Sequence, residues 1–201
     1  MQAGDGPYTP EGGHTPVLSR TEFAERYRTA SGQLWLVAVS IVRDAALAED
    51  VVQESAIVGL EKLPQFDPRT SFEAWMGQIV RYTALNAVRR ERRRESAGLM
   101  EADRPQERAA EQAKQDSAQP ISTFGRLLAD QKAFDAEVLS ALEGLDETAR
   151  ACLLLRTVGE APYARIAELL GIPEGTAMSH VHRSRMAMRE RLLKRREGGA
   201  A

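Results

Sequence analysis

Residues Tyr163 to Arg196 constrain the fold more than any other stretch of the chain. Ala164 to Leu170 reads as a short helix, Gly171 as a turn, and Glu174 onward as a second helix. That second helix runs through His180, His182, Arg183 and Arg185 and grows more basic up to Arg196. A helix, a glycine turn and a basic second helix form a helix-turn-helix layout, in which the second helix enters the major groove of DNA.

The rest of the chain reads as helical too. Of its 201 residues 43% are hydrophobic, enough for packed cores, and valine and isoleucine never alternate with polar residues as strands require. No apolar run reaches the roughly 18 residues of a membrane span. Met1 to Pro16 is rich in Gly, Pro and Thr, lacks the basic and apolar regions of a secretory signal, and reads as a disordered tail. A single cysteine, Cys152, excludes an internal disulfide and a cysteine-based zinc site. These features point to a cytoplasmic protein without membrane insertion.

A net charge of −2 suits a nucleic-acid binder only once the charges are placed. Arg81, Arg89, Arg90, Arg92, Arg93 and Arg94 form one basic cluster; Arg183 to Arg196 form another. Acid gathers at Glu49, Asp50, Glu54 and Glu61, and again from Glu95 to Asp116. Two basic patches on an otherwise acidic chain suggest two DNA contacts and at least one surface meant for something other than DNA.

Helix signals divide the chain. Ser19 and Glu22 form a capping box before Phe23, Tyr27, Leu34, Ala38 and Ile41, with Gly32 a weak point. Asp44 caps a second helix carrying Leu47, Val51, Ile57, Val58 and Leu60, which Pro64 ends. Thr70 and Glu73 form a further capping box, opening a long helix through Phe72, Trp75, Met76, Ile79 and Val80 into the arginines. Residues 96–129, rich in Ala, Gln, Glu, Ser and Pro, read as a linker. Phe134, Val138, Leu139 and Leu142 begin the second group, and Asp146 caps the helix holding Ala149, Cys152, Leu153 and Leu155. The expected fold is all-α: a disordered tail (1–18), a first helical domain (19–95), a flexible acidic linker (96–129), a helix-turn-helix domain (130–196) and a short tail (197–201).

This ordered set resembles the extracytoplasmic-function (ECF) sigma factors of the sigma-70 family. Ala48 to Glu54 is similar to the acidic heptad of sigma region 2. Phe66-Asp67-Pro68, Phe72 to Met76 and the basic run Val88 to Arg94 resemble its loop, following helix and end. Ala141 to Leu145, Arg150, Leu153, Glu174 to Thr176 and Ser179 resemble region 4.

The resemblance implies a transcription initiation factor that binds core RNA polymerase, directs it to promoters and helps to melt the −10 element. Asp50, Gln53 and Glu54 would dock on the clamp helices of the largest subunit, and the second domain on the flap of the other large subunit. Asp67 and Ser71 in the loop would hold a flipped −10 base; Arg81, Tyr82, Asn86, Arg89, Arg90 and Arg93 would hold the melted strand. Phe72 and Trp75 fit the apolar stripe better than a base contact. Thr176, Met178, Ser179, His180, His182, Arg183 and Arg185 would read the −35 element, Arg183 being suited to bidentate pairing with guanine. The family usually has basic residues where this chain has Met178 and His180, and often Asn and Asp where it has Tyr82 and Asn86. Those departures predict unusual promoter preferences. An anti-sigma partner is also implied.

No residues form a catalytic or metal-binding set: His180 and His182 lie two apart on different faces, and Cys152 among leucines is a small buried hydrophobe. Neither an enzyme nor a cofactor is expected. Two competing readings are a free-standing helix-turn-helix regulator, which needs a dimer interface that no heptad supplies, and a helical interaction protein that does not read promoters.

Overall fold

The computed structural model describes residues 18–96, 142 and 144–198. Within them the fold is all helical: α1 (Arg20–Val42), α2 (Ala45–Lys62), a 3-10 turn (Leu63–Gln65), α3 (Phe72–Ser96), α4 (Glu147–Thr157), α5 (Tyr163–Leu170) and α6 (Glu174–Gly198). The tail 1–17, most of the expected linker and the stripe Phe134, Val138 and Leu139 lie outside the described residues.

Three of the expected caps form as the sequence implies, Asp146 among them, which accepts from Ala149 N–H at 2.8 Å. Ser19 and Glu22 close a capping box on α1, which runs unbroken through Gly32, and Asp44 accepts from Leu47 N–H at 2.7 Å. The start of α3 differs from expectation. Ser71, not Thr70, is the cap: its Oγ accepts from Ala74 N–H at 3.2 Å. Thr70 is used by the turn before the helix, where its N–H and its hydroxyl both donate to the Asp67 carbonyl at 2.9 and 2.7 Å.

Helices α1, α2 and α3 enclose an aromatic centre. Phe23 and Phe72 meet edge to face at 5.4 Å, and Phe66 packs on Trp75 at 5.0 Å. Phe72 is fully buried and Trp75 partly so, which assigns both to packing. The Tyr27 hydroxyl, buried, donates to the Val52 carbonyl at 2.5 Å and ties α1 to α2.

The second group, α4 to α6, packs around Cys152, Leu155, Ile166, Leu169, Ala177 and Val181. Gly171 ends α5 at φ +64°, a left-handed conformation that suits glycine, and the chain turns at once into α6. Burial pushes the Cys152 thiol up to about 12, so it is an inert core group.

The two groups share one apolar core. Helix α1 is buried around its whole girth at Leu34, Trp35, Leu36, Val37 and Ala38, because α4 covers the side that α2 and α3 leave open. Helix α5 lies on α3, and a Cβ at Gly77 would collide with the Leu169 carbonyl oxygen. Arg150, only 4% exposed, donates to the carbonyls of Leu142 at 3.0 Å and Leu145 at 2.6 Å, and to that of Ser40 across the junction.

Candidate nucleic-acid and protein interfaces

Three surfaces gather the candidate residues. The first is the outer face of α2. Asp50, Gln53 and Glu54 are exposed as expected. Ile57 and Leu60, which the sequence groups with the apolar residues of this helix, are not part of its core side. Ile57 is 60% exposed and Leu60 38%. Ile57 lies four residues after Gln53 and three after Glu54, which puts it on their side of the helix. The core of α2 is instead carried by Ala48, Val51, Val52, Ser55 and Gly59. Burial first, then the charges of Asp44 and Glu54, push the Asp50 carboxyl above its ordinary value. An acidic face with an exposed apolar centre has the composition of a protein-docking surface.

The second surface is the outer side of α3. Tyr82, Asn86, Arg89 and Arg93 follow at helical spacings of four, three and four residues, so they line up in one stripe. Tyr82 is 65% exposed, and Arg89 Nη1 donates to Asn86 Oδ1 at 3.2 Å. An exposed aromatic leading into a cationic track is what a single nucleic-acid strand requires. Arg90 leaves this stripe and pairs with Glu54 of α2 at 2.9 Å. Arg81 also leaves it, pairing with Glu147 of α4 at 3.1 Å.

The loop before α3 is organised by Asp67. Its carboxylate accepts from Arg69 N–H at 2.9 Å and from Arg69 Nε at 3.0 Å, and these bonds hold it below the usual carboxylate range. Arg69 itself is almost fully exposed. It was not among the expected contacts, and its guanidinium lies against the Asp67 carboxylate. The Asp67-x-Arg69 spacing was the available signal. Ser71, besides capping α3, donates to Glu73 at 3.1 Å.

The third surface is the outer face of α6. Met178, Ser179, His182, Arg183 and Arg185 are exposed along it, whereas Ala177, Val181 and Ser184 face the core. Thr176 and His180 are half-buried on its flanks. The Ser179 hydroxyl donates to the Gly175 carbonyl at 2.8 Å, and Arg183 Nε to the Ser179 carbonyl at 3.3 Å. A Cβ at Gly175 would meet nothing within 4 Å, so the leading end of the helix is open to a flat partner.

Among the described residues no cluster of His, Cys, Asp or Glu is arranged to hold a metal ion, and no helix is long and apolar enough to cross a membrane.

Comparison with known proteins gives these surfaces a context. Residues 26–94 match the family Sigma-70 region 2, and residues 135–188 match Sigma-70, region 4. The chain is 31% identical over 147 residues to the ECF RNA polymerase sigma factor SigE of Mycolicibacterium smegmatis, covering 73% of this chain and 52% of that protein. It is 30% identical over 166 residues to the probable RNA polymerase sigma factor RfaY of Xanthomonas campestris, covering 79% and 37%. With the RNA polymerase sigma-H factor of Pseudomonas aeruginosa it shares 29% over 150 residues, 75% of each chain. The chain thus spans about a third to a half of the length of SigE and RfaY.

Among solved structures, sigma factor RpoE of Bartonella quintana, crystallised with the anti-sigma factor NepR, superposes with a TM-score of 0.55 at 23% identity, covering 86% of this chain and 97% of that one. CnrH, solved with the cytosolic domain of CnrY, gives 0.54 at 18%, covering 87% and 89%. At these identities the two structures show a shared fold. Regions 2 and 4 in their proper order, on a helical body with a helix-turn-helix at its end, place the chain in the sigma-70 family, within its ECF group.

Proposed function

We propose that this chain is an initiation factor that binds core RNA polymerase, directs it to two-part promoters and helps to melt the −10 element. The observation that carries the reading is the separation of three surfaces, each with the chemistry of one task. The α2 face, acidic with Ile57 at its centre, docks on the polymerase clamp helices through Asp50, Gln53 and Glu54. The α3 stripe of Tyr82, Asn86, Arg89 and Arg93, with the Asp67–Ser71 loop, holds the melted strand. Helix α6 reads duplex −35 DNA through Met178, Ser179, His182 and Arg183, with Thr176 and His180 at the flanks and Arg185 toward phosphate. Residues 19–95 then serve as region 2 and 130–196 as region 4, the latter also meeting the polymerase flap.

The protein needs no cofactor and makes or breaks no covalent bond. Melting is driven by binding the opened strand better than the duplex. It would act in the cytoplasm, and the structural relative RpoE, solved with the anti-sigma factor NepR, supports an anti-sigma partner here.

Binding to core polymerase tests the reading. Glu54→Lys and Ile57→Glu should each weaken binding at least about tenfold, the effect of losing a central interface residue. Unchanged affinity in both would remove the α2 face from the account.

A further inference from the structure

We propose that Met178 reads the C5-methyl group of a thymine in the −35 duplex; this deepens the sigma-factor reading above and rests on it. Between Glu174 and His182, the end of α6 that leads into a major groove, Met178 is the one large apolar side chain among the exposed residues. It is 49% exposed, while its neighbours Ala177 and Val181 are buried in the core that α6 shares with α4 and α5. A thioether carries no charge and no donor, so Met178 can neither hold a phosphate nor pair with the polar edge of a base. The apolar group that a base does present in the major groove is the thymine methyl, and apolar side chains are what meets it. Methionine, unbranched and polarizable, fits itself to such a small target.

The surroundings keep that contact open. Gly175, three residues before Met178 and on the same side of the helix, has nothing within 4 Å of where its Cβ would stand, so no side chain screens Met178 from that direction. The hydrogen-bonding groups lie on the other flank. Ser179 donates to the Gly175 carbonyl at 2.8 Å, and Arg183 Nε to the Ser179 carbonyl at 3.3 Å. Arg183 stands about 140° around the helix from Met178, at 3.6 residues per turn. The reading face therefore has a guanidinium flank suited to guanine and a thioether flank suited to a methyl group. Met186 is also exposed, at 56%, but lies about 12 Å further along the axis, beyond the leading end that meets bases.

The test uses holoenzyme, reconstituted from core RNA polymerase and the full chain, and promoter duplexes taken from mapped RNA starts. Each −35 thymine is replaced in turn by deoxyuridine, which pairs identically and lacks only the methyl. At one or more positions this should weaken wild-type binding about fourfold, the effect of leaving one methyl-sized group unburied. The same replacement should have no effect on Met178→Ala. It should be silent again in Met178→Arg, whose binding becomes more salt-dependent because a charge is added at the DNA. Met186→Ala should keep the wild-type penalty. All three changes are at exposed positions, so helix content by circular dichroism should not move. A uracil penalty as large in Met178→Ala as in wild type would overturn the proposal, as would a −35 element with no uracil-sensitive thymine, or a penalty that Met186→Ala abolishes as fully as Met178→Ala. If the holoenzyme yields no mapped starts, the sigma-factor reading itself fails and this assignment falls with it; normal starts without methyl dependence sink the Met178 assignment alone.

Discussion

Arg150 shows how much one side chain does in this molecule. Nearly buried, it donates to the carbonyls of Leu142, Leu145 and Ser40 and so joins α4 both to the chain before it and to α1. Replacing it by methionine keeps the stem and strands those carbonyls. We expect a loss of about 2–4 kcal/mol in chemical denaturation, in line with losing several charge-assisted hydrogen bonds. Tyr82 is the opposite case, exposed and without a structural duty that the fold reveals. Tyr82→Ala should leave thermal stability unchanged and weaken binding of holoenzyme to a single-stranded −10 oligonucleotide about tenfold, whereas Tyr82→Phe keeps a stacking surface and should bind nearly as wild type. At this scale the candidate site was partly readable. Exposed charges at helical spacing marked Asp50, Arg89 and Arg183. Spacing could not reveal which arginines are held by protein carboxylates, as Arg81 and Arg90 are, because those partners come from other helices.

Among the elements, α3 carries most of the account. One flank bears the arginine stripe, another the junction with α5, and its aromatic side closes the first core. Its start separates two capping residues that the sequence presents side by side. Ser71→Ala should cost about 1 kcal/mol, the usual value of an N-cap, and Thr70→Ala clearly less, as read from urea unfolding midpoints. Equal losses would contradict the observed cap. Caps elsewhere, at Ser19, Asp44 and Asp146, were readable because each lies just before a clean apolar period. In α2 the apolar residues Ile57 and Leu60 looked like core by type alone, yet their positions follow those of the acids. There the residue class suggested burial and the geometry of the helix decided against it.

At the scale of the whole molecule, the sequence pointed to two helical groups and the structure packs them into one body. Two signals of this were present. Leu34 to Val39 is apolar around the full turn of α1, a pattern that demands cover on every side. Gly77 also stands within an otherwise regular helix, where glycine is unfavourable unless something must come close. Neither signal names the covering surface, which is why the junction was not foreseen. Its ion pairs make it sensitive to acid. Burial pushes the Glu73 carboxyl up, but its bonds with Arg165, with its own backbone and with Ser71 outweigh this and hold it below its ordinary value of 4.5. The groups facing it are Arg165, Glu168 and, through Arg165, the neutral Gln33. A carboxylate lowered in the folded state contributes stability that is present above 4.5 and lost as pH falls through the lowered value. Scattering against pH should therefore show the closed body opening on the acid side of 4.5, with no such Glu73-linked step in Glu73→Gln. All three surfaces depend on one reading, that the protein selects promoters for core polymerase. Its most direct test is to transcribe fragmented source-genome DNA with core RNA polymerase and the purified protein, and to map the RNA starts. The account predicts starts that share a two-part upstream sequence and vanish when the protein is omitted; starts no different from those of core polymerase alone would contradict it.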